Sequence, residues 1–512
     1  SFVGALAMPY YRLVGVGFFP EDDRSEFNIK IETPPGSSLA FTRAKAEEVI
    51  AALRKEPEVR YTYTTLGGGN AGAVDEGQIF VRLTARHDRD ASAEDLAARL
   101  REQTTRMTGA KVSIFTSDFG GGRKQLQLEV RGSDVATITA VAEQIQALVA
   151  TVPNVVDLGL SSKGQKPEVT ISLNRGLAGS LGVTVGDVAQ SVRPAFAGID
   201  AGDWVDPSGE TRDVQIRLAP ESRTRPEDLR RLPLLVAGPD GLPTTVPLGQ
   251  VADVTQGLGP AVINHLNRDP VVNVEWNTSG RATGPVMDDV RAAIAKVPLP
   301  PGVRISEGGD AEQQNEVFGS IYIALGVAAM LMYLILVMQF GSFVDPLAIM
   351  LSLPLSMIGV MLGLAVTGLT INIMSLIGVI LLMGIVAKNA ILLIDFAKWA
   401  RERQGLALRE ALIEAGAIRL RPILMTTFAL IAGMIPVALG RGDGAQFRQP
   451  LGVAVIGGVI TSTLLTLIAI PTFYEILDSV REWFSRLARR VLGNEAVDQV
   501  AHAVTGEHQV GP

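Results

Sequence analysis

An ammonium interrupts an apolar run long enough to cross a bilayer: Lys388 lies inside residues 372–396, NIMSLIGVILLMGIVAKNAILLIDF. At a helical rise of ~1.5 Å per residue the run spans the ~30 Å of hydrocarbon, and Lys388 sits about 12 Å from its Phe396 end. A charge at that depth is costly unless it faces protein, water or a counter-charge, so by default it marks an ion or proton pathway. The alternative is a lysine stretching its stem to the headgroups. On the next apolar run Thr426 lies about 8 Å inward from Arg421, a comparable depth from the same face, and Arg419 precedes it by about two helical turns. Ammonium, guanidinium and hydroxyl on facing helices can hold a carboxylate whose protonation is switched during a transport cycle. Asp395, the only acid in the run, is about 10 Å along the axis from Lys388, too far to pair. The expectation is therefore a buried Lys388 that no acid of this chain reaches. The plainer alternatives are a Thr426 hydroxyl bonded back to its own helix and an Arg419 that is an ordinary flanking charge.

A second set of candidates precedes the apolar runs. Strand 59–65 carries Tyr61 and Tyr63 on one face and leads into LGGGNAGAVDEG, residues 66–77. Tyrosines beside a flexible glycine loop suit broad recognition of amphiphiles, and two aromatics on one strand face equally suit packing. The loop is a poor phosphate cradle, because it leads into strand 78–84 and not into a helix. Phe115, at a strand end near the cleft between the first two subdomains, is a weaker candidate. Metal chemistry is sparse. His87, His265, His502 and His508 have no ligand spacing. Ten of the 13 Met fall in the apolar segments as flexible packing, which leaves only Met107 and Met287 beyond Met8, too few for a thioether site.

The elements that position these residues form two regions. From Arg12 to about Asp310 short alternating strands and amphipathic helices are separated by Gly/Pro turns, an α+β region. Strand 26–32, helix 39–55, strands 59–65 and 78–84, helix 93–107 and strand 111–115 make a split βαββαβ, or ferredoxin-like, pattern. A second such unit takes strand 125–131, helix 135–152 and strands 155–160 and 168–173. It resumes at strand 271–276, helix 284–296 and strand 303–307. The domains expected are a membrane-helix end at 1–11, a first subdomain at 12–120, a second at 121–183 and 268–314, and an insertion at 184–267. Five membrane helices follow at 317–338, 346–366, 372–396, 422–439 and 450–476, within 315–478, and then a polar tail at 479–512.

Composition agrees with a partly lipid-embedded chain: of 512 residues 47% are hydrophobic and 19% charged, with mean hydropathy +0.26. A net charge of −7 gives no reason to expect nucleic acid, and the absence of Cys excludes disulfides, thiolate metal sites and a Cys nucleophile. Basic residues crowd 397–421 and follow the last helix at Arg481, Arg486, Arg489 and Arg490, which puts both regions in the cytoplasm and residues 12–310 on the outer side.

GIVAKNAILLIDFA (384–397), RLRPILMTT (419–427) and FFPEDDRSEF (18–27) resemble the resistance-nodulation-division efflux transporters, most closely the hydrophobe/amphiphile, or multidrug, branch. The similarity covers the chain except its tail, and what it matches is the C-terminal half of such a transporter. It implies a homotrimer in the bacterial inner membrane, driven by the proton motive force without a cofactor. A large periplasmic region of two porter subdomains with an inserted docking subdomain would meet a periplasmic adaptor protein and an outer-membrane channel. On this resemblance Lys388, Arg419 and Thr426 match the proton-relay positions, whose partner aspartates belong to the other half. Tyr61, Tyr63, Leu66 and Phe115 fall in the substrate region, and Gly67, Gly68, Gly69 and Gly72 in the switch loop. Many members carry a phenylalanine cluster where this chain has tyrosines. The expected function is proton-driven export of drugs or other amphiphiles. Two alternatives stay open: export of metal ions, lipids or oligosaccharides by the same architecture, and a membrane-anchored assembly module that transports nothing. An intramembrane Lys388 favours transport, because an anchor gains nothing from such a charge. No nucleophile elbow, metal cluster or nucleotide loop supports an enzyme.

Overall fold

The computed structural model describes residues 14–20, 22–68, 73–116, 123–237 and 242–492, without the side chains of 243 and 481–492. The expected helix end at 1–11, Gly69 and Gly72 of the glycine loop, and the tail beyond 492 lie outside the described residues. The chain forms two compact units, one of Pro34–Gly36 with Ser162–Ile263 and the other of the remainder.

The larger unit opens with β1 (Glu26–Glu32), β2 (Val59–Leu66), β3 (Glu76–Leu83) and β4 (Lys111–Phe115), ordered β2-β3-β1-β4 with every neighbour antiparallel. Alternation in EFNIKIE buries Phe27, Ile29 and Ile31 while the charged residues stay at least partly open. The helices Leu39–Leu53 and Ala93–Thr104 share that core through Leu53, Leu96 and Leu100. Ser92 and Asp95 start the second of them with a reciprocal capping box. The chain then lays down β5 (Leu126–Arg131), the helix Val135–Val149 and β6 (Val155–Leu160) before it leaves for the smaller unit.

The smaller unit pairs β7 (Gln165–Leu173) with β12 (Ala252–Pro260) and holds two hairpins, β8 (Ile199–Val205) with β9 (Thr211–Ile216) and β10 (Pro233–Ala237) with β11 (Pro243–Pro247). Its core gathers Val188 of the helix Val185–Phe196 with Leu234, Leu248 and Val251. Back in the larger unit come β13 (Asn264–Leu266), β14 (Asp269–Thr278), the helix Thr283–Ile294 and β15 (Arg304–Gly309). The second sheet runs β13-β14-β5-β15, with β6 also on β14.

Strand β7 corrects the sequence reading. Its segment 168–173 was expected in the second subdomain, but its whole length is hydrogen-bonded to β12 in the smaller unit. Most of β7 is exposed, so it lacks the alternating burial that would hold it in a covered sheet. The strand that lies between β5 and β6 is β14, which brings Val272, Val274 and the fully buried Trp276 to the second core.

Among the described residues five helices are long and apolar enough to cross a membrane: Asp310–Phe340, Asp345–Thr367, Ile373–Gln404, Leu408–Ala438 and Ala445–Val480. They outrun the apolar segments read from sequence. The basic stretch 397–421, which lies between two of those segments, is helical except at 405–407. Its Ala, Arg and Glu residues favour helix, and Gly405, at φ 69°, ends the turn in the left-handed conformation. Pro422 lies within the helix Leu408–Ala438, so Arg419 and Thr426 share one continuous helix. The helices Ser352–Thr367 and Gln449–Leu492 touch backbone to backbone: a Cβ at Gly359 would overlap the Gly457 carbonyl, and one at Gly457 the Gly359 carbonyl.

One polar cluster joins the loop after Ala438 to the base of the first sheet. Arg89, its side chain 1% exposed, is paired with Asp23. Asp23 also accepts from the Ala93 amide at 2.9 Å, and its carbonyl accepts from the Gly444 amide at 3.0 Å. Asp443 accepts from the Ser25 hydroxyl at 2.9 Å and the Arg86 amide at 3.1 Å.

Candidate functional site

The helix Ile373–Gln404 starts on a buried capping box, in which Asn372 and Ser375 bond reciprocally, and this fixes where Lys388 falls along it. Lys388 is exposed and not buried as expected. It belongs to a stripe of the helix that the rest of the described chain leaves open, together with Ile377, Leu381, Gly384 and Asp395, residues whose spacing places them on one face. Asn389, the next residue, is turned inward and 7% exposed.

Arg419 and Thr426 do not bond to Lys388 among the described residues. The Arg419 guanidinium lies over the Phe396 ring at 5.4 Å to the centroid, a cation–π contact, and its Nε is buried without a hydrogen-bond partner. The Thr426 hydroxyl donates to the Ile423 carbonyl of its own helix at 3.0 Å, the plainer of the two readings. The side chain of Thr426 is exposed, while that of Thr427 points inward.

That inward side holds polar groups the sequence reading missed. Thr427 and Thr463 share a buried hydroxyl contact at 3.1 Å between the last two long helices, and Thr466 Oγ1 is buried without a hydrogen-bond partner. The legible signal was TSTLLT (461–466), which repeats a hydroxyl at i and i+3 on one face of an apolar helix. At the cytoplasmic-side ends expected from the loop charges, Lys398 Nζ donates to the Phe340 carbonyl at 2.6 Å and Arg401 pairs with Asp478 at 3.3 Å. Part of the basic excess that marks sidedness therefore also ties helices together.

In the first sheet β2 is an edge strand, with Tyr61 53% and Tyr63 68% exposed. Tyr63 stands opposite Phe80 in register, and the rings of Tyr61 and Phe80 are 6.4 Å apart. The two tyrosines thus form an open aromatic surface. Leu66 instead packs against the core, and Gly67, at φ 71°, turns the chain with its amide on the Glu76 carbonyl at 3.0 Å. Gly68 follows exposed. Phe115 is 4% exposed, so burial removes it from any surface that the tyrosines offer.

Among the described residues no group of three or more His, Cys, Asp or Glu is arranged to hold a metal ion. Met107 packs against the first core, and Met287 is 2% exposed in the second.

A family model described as the AcrB/AcrD/AcrF family matches residues 1–478. Among solved structures, the chain is similar to crystal form II of a heavy metal efflux pump, at 27% identity and TM-score 0.77. It is likewise similar to crystal form I, at 26% and 0.75. Each comparison covers 93% of this chain and 50% of the pump chain, so the chain spans half the length of these relatives.

Proposed function

The chain belongs to the AcrB/AcrD/AcrF family of resistance-nodulation-division transporters, and from that premise we propose that it forms part of a proton-driven exporter of drugs and other amphiphiles. Members of the family are transporters and not enzymes. The chain is an inner-membrane protein with five helices able to span the membrane and a large periplasmic domain. We read its two larger sheets as ferredoxin-like porter subdomains and Ser162–Ile263 as the docking subdomain. The hairpin β8/β9 supports a homotrimer, since it is exposed along its length and carries Ile199, Trp204, Val205 and Ile216 into solvent. An adaptor protein and an outer-membrane channel complete the proposed assembly.

The observation that carries the reading is Lys388, a cation on the open stripe of an otherwise apolar membrane helix. A charge facing lipid there is costly, and one facing a carboxylate from the rest of a complete transporter is not. In the proposed cycle that carboxylate pairs with Lys388 when ionised and releases it when protonated, with Arg419 and Thr426 at the edge of the same pathway. Substrate passes over Tyr61 and Tyr63 beside the glycine loop.

Metal export is the second reading, favoured by the pumps to which the chain is similar. The half-buried Met107, the buried Met287 and the donor set of the described residues support it poorly. The test is proton flux in liposomes holding the complete transporter under an imposed pH gradient. Flux stimulated by amphiphilic dyes supports drug export, and flux stimulated only by Zn²⁺ or Cu⁺ replaces it with metal export.

A further inference from the structure

Where two apolar clusters of the membrane helices meet, the inside of the bundle turns polar. Val386, Leu430 and Val459 belong to one cluster, and Leu393, Ala415 and Ile470 to the other. Between them on their three helices come Asn389, Thr427, and Thr463 with Thr466. Contacts nearby fix the register that brings these residues to one level. Gly378 lies against Ala454 and Gly458 against Leu382, so the helices Ile373–Gln404 and Gln449–Leu492 run parallel, and the same offset sets Asn389 level with residues 463–466. Gly452 lies against Ala438, and the antiparallel helix Leu408–Ala438 then carries Thr427 to Thr463, at 3.1 Å between hydroxyls.

All four side chains are buried, but their hydrogen bonding is incomplete. Thr427 and Thr463 share one hydrogen bond. Thr466, 2% exposed, has no partner for its Oγ1, and Asn389 makes no hydrogen bond among the described residues. A carboxamide and a hydroxyl are thus left over at one level of a bundle that bulk water does not enter, where an unpaired polar group is costly. None of the four carries a charge. Neutral donors and acceptors on facing helices suit a small neutral molecule that both donates and accepts, which describes water and not an ion.

We propose that Asn389 and Thr466 hold an ordered water between these two helices, with a free lone pair of the Thr427–Thr463 pair as its third contact. The site lies on the inward side of the helix, away from the open stripe. Because Asn389 follows Lys388 directly, a water that ties it to the last helix also fixes the rotation at which Lys388 faces that stripe. Asn389 and Thr466 are then positioning residues. This role, unlike the site itself, rests on the relay proposed above.

The test is a high-resolution structure of the complete transporter, with Thr466→Val, Thr466→Ser and Asn389→Leu beside the wild type and thermal midpoints as the control for folding. A density peak is expected within about 3.2 Å of Thr466 Oγ1 in the wild type and Thr466→Ser, and its loss in the other two. A wild type without the peak would overturn the site. Proton flux in liposomes tests the role separately: Thr466→Val should shift the pH profile of flux, and Thr466→Ser should restore it. Loss of the peak with an unchanged profile removes the positioning role and leaves the water. A wild type that moves no protons removes the relay reading, and that role with it.

Discussion

Lys388 is the residue whose identity was plainest in the sequence and whose surroundings were least so. Depth in an apolar run gave the cost of the charge, but no sequence pattern says which side of a helix will be left without a neighbour. The open stripe through Ile377, Leu381, Gly384 and Lys388 shows that side. In the complete transporter Lys388→Ala is expected to assemble normally, since it removes a charge that needs a partner, and to reduce efflux to background. Lys388→Arg is expected to fail too, because a planar fork does not replace a compact ammonium. Drug susceptibility with membrane protein level as control checks both; a well-expressed Lys388→Ala that still pumps removes the relay. Lys124 carries the second prediction at this scale. Its pKa is lowered to about 8, chiefly by burial and then by Lys111, against the pull of Glu275, Glu32 and Asp157. The unfolded chain keeps that proton to higher pH, so Lys124 costs stability below about pH 8 and the cost fades as pH rises from there toward the ordinary lysine value. Lys124→Met should therefore raise the thermal midpoint at pH 7 and lose that advantage above pH 10. A pH-independent gain in midpoint would contradict the titration.

At the scale of elements, periodicity made the strands and helices of the first sheet legible, because EFNIKIE and its neighbours alternate cleanly between core and solvent. It could not assign β7, which has a strand composition and a partner, β12, from far along the chain. Choosing between β7 and β14 for the place beside β6 was a question of long-range pairing, on which local pattern is silent. The helical stretch on both sides of Gly405 was hidden for another reason: its charges read as loop, though the same residues extend helices past the lipid into water. The Asp23–Arg89–Asp443 cluster was not legible at all, since its members come from three distant segments. It ties the loop between the last two membrane helices to the first sheet. Arg89→Ala leaves the buried Asp23 carboxylate only the longer pairing with Arg86 at 3.6 Å, and breaking a buried pair in this way costs at most about 3 to 5 kcal/mol. Thermal unfolding of the purified protein should show a clear fall in midpoint, with Arg89→Lys intermediate. An unchanged midpoint would mean that the cluster holds nothing.

At the scale of the whole molecule, Lys388, Arg419 and the two larger sheets stand in one chain that spans half the length of its relatives. No acid of the described residues pairs with Lys388, and Asp395 lies on the same open stripe about two turns away. A cation can stabilise an ionised carboxylate but cannot by itself deliver a proton across the bilayer, so coupling requires an acid on whatever covers the stripe. The 512-residue chain alone in liposomes is therefore expected to show no drug-dependent proton flux, and the complete transporter to show it. An aspartate-to-asparagine change at the covering helix should then abolish flux as fully as Lys388→Ala, and combining the two should cost nothing further, because each removes one partner of the same pair. Two changes with independent, multiplying effects on flux would place the proton route away from Lys388, and drug-dependent flux by this chain alone would require an acid within it to serve as carrier.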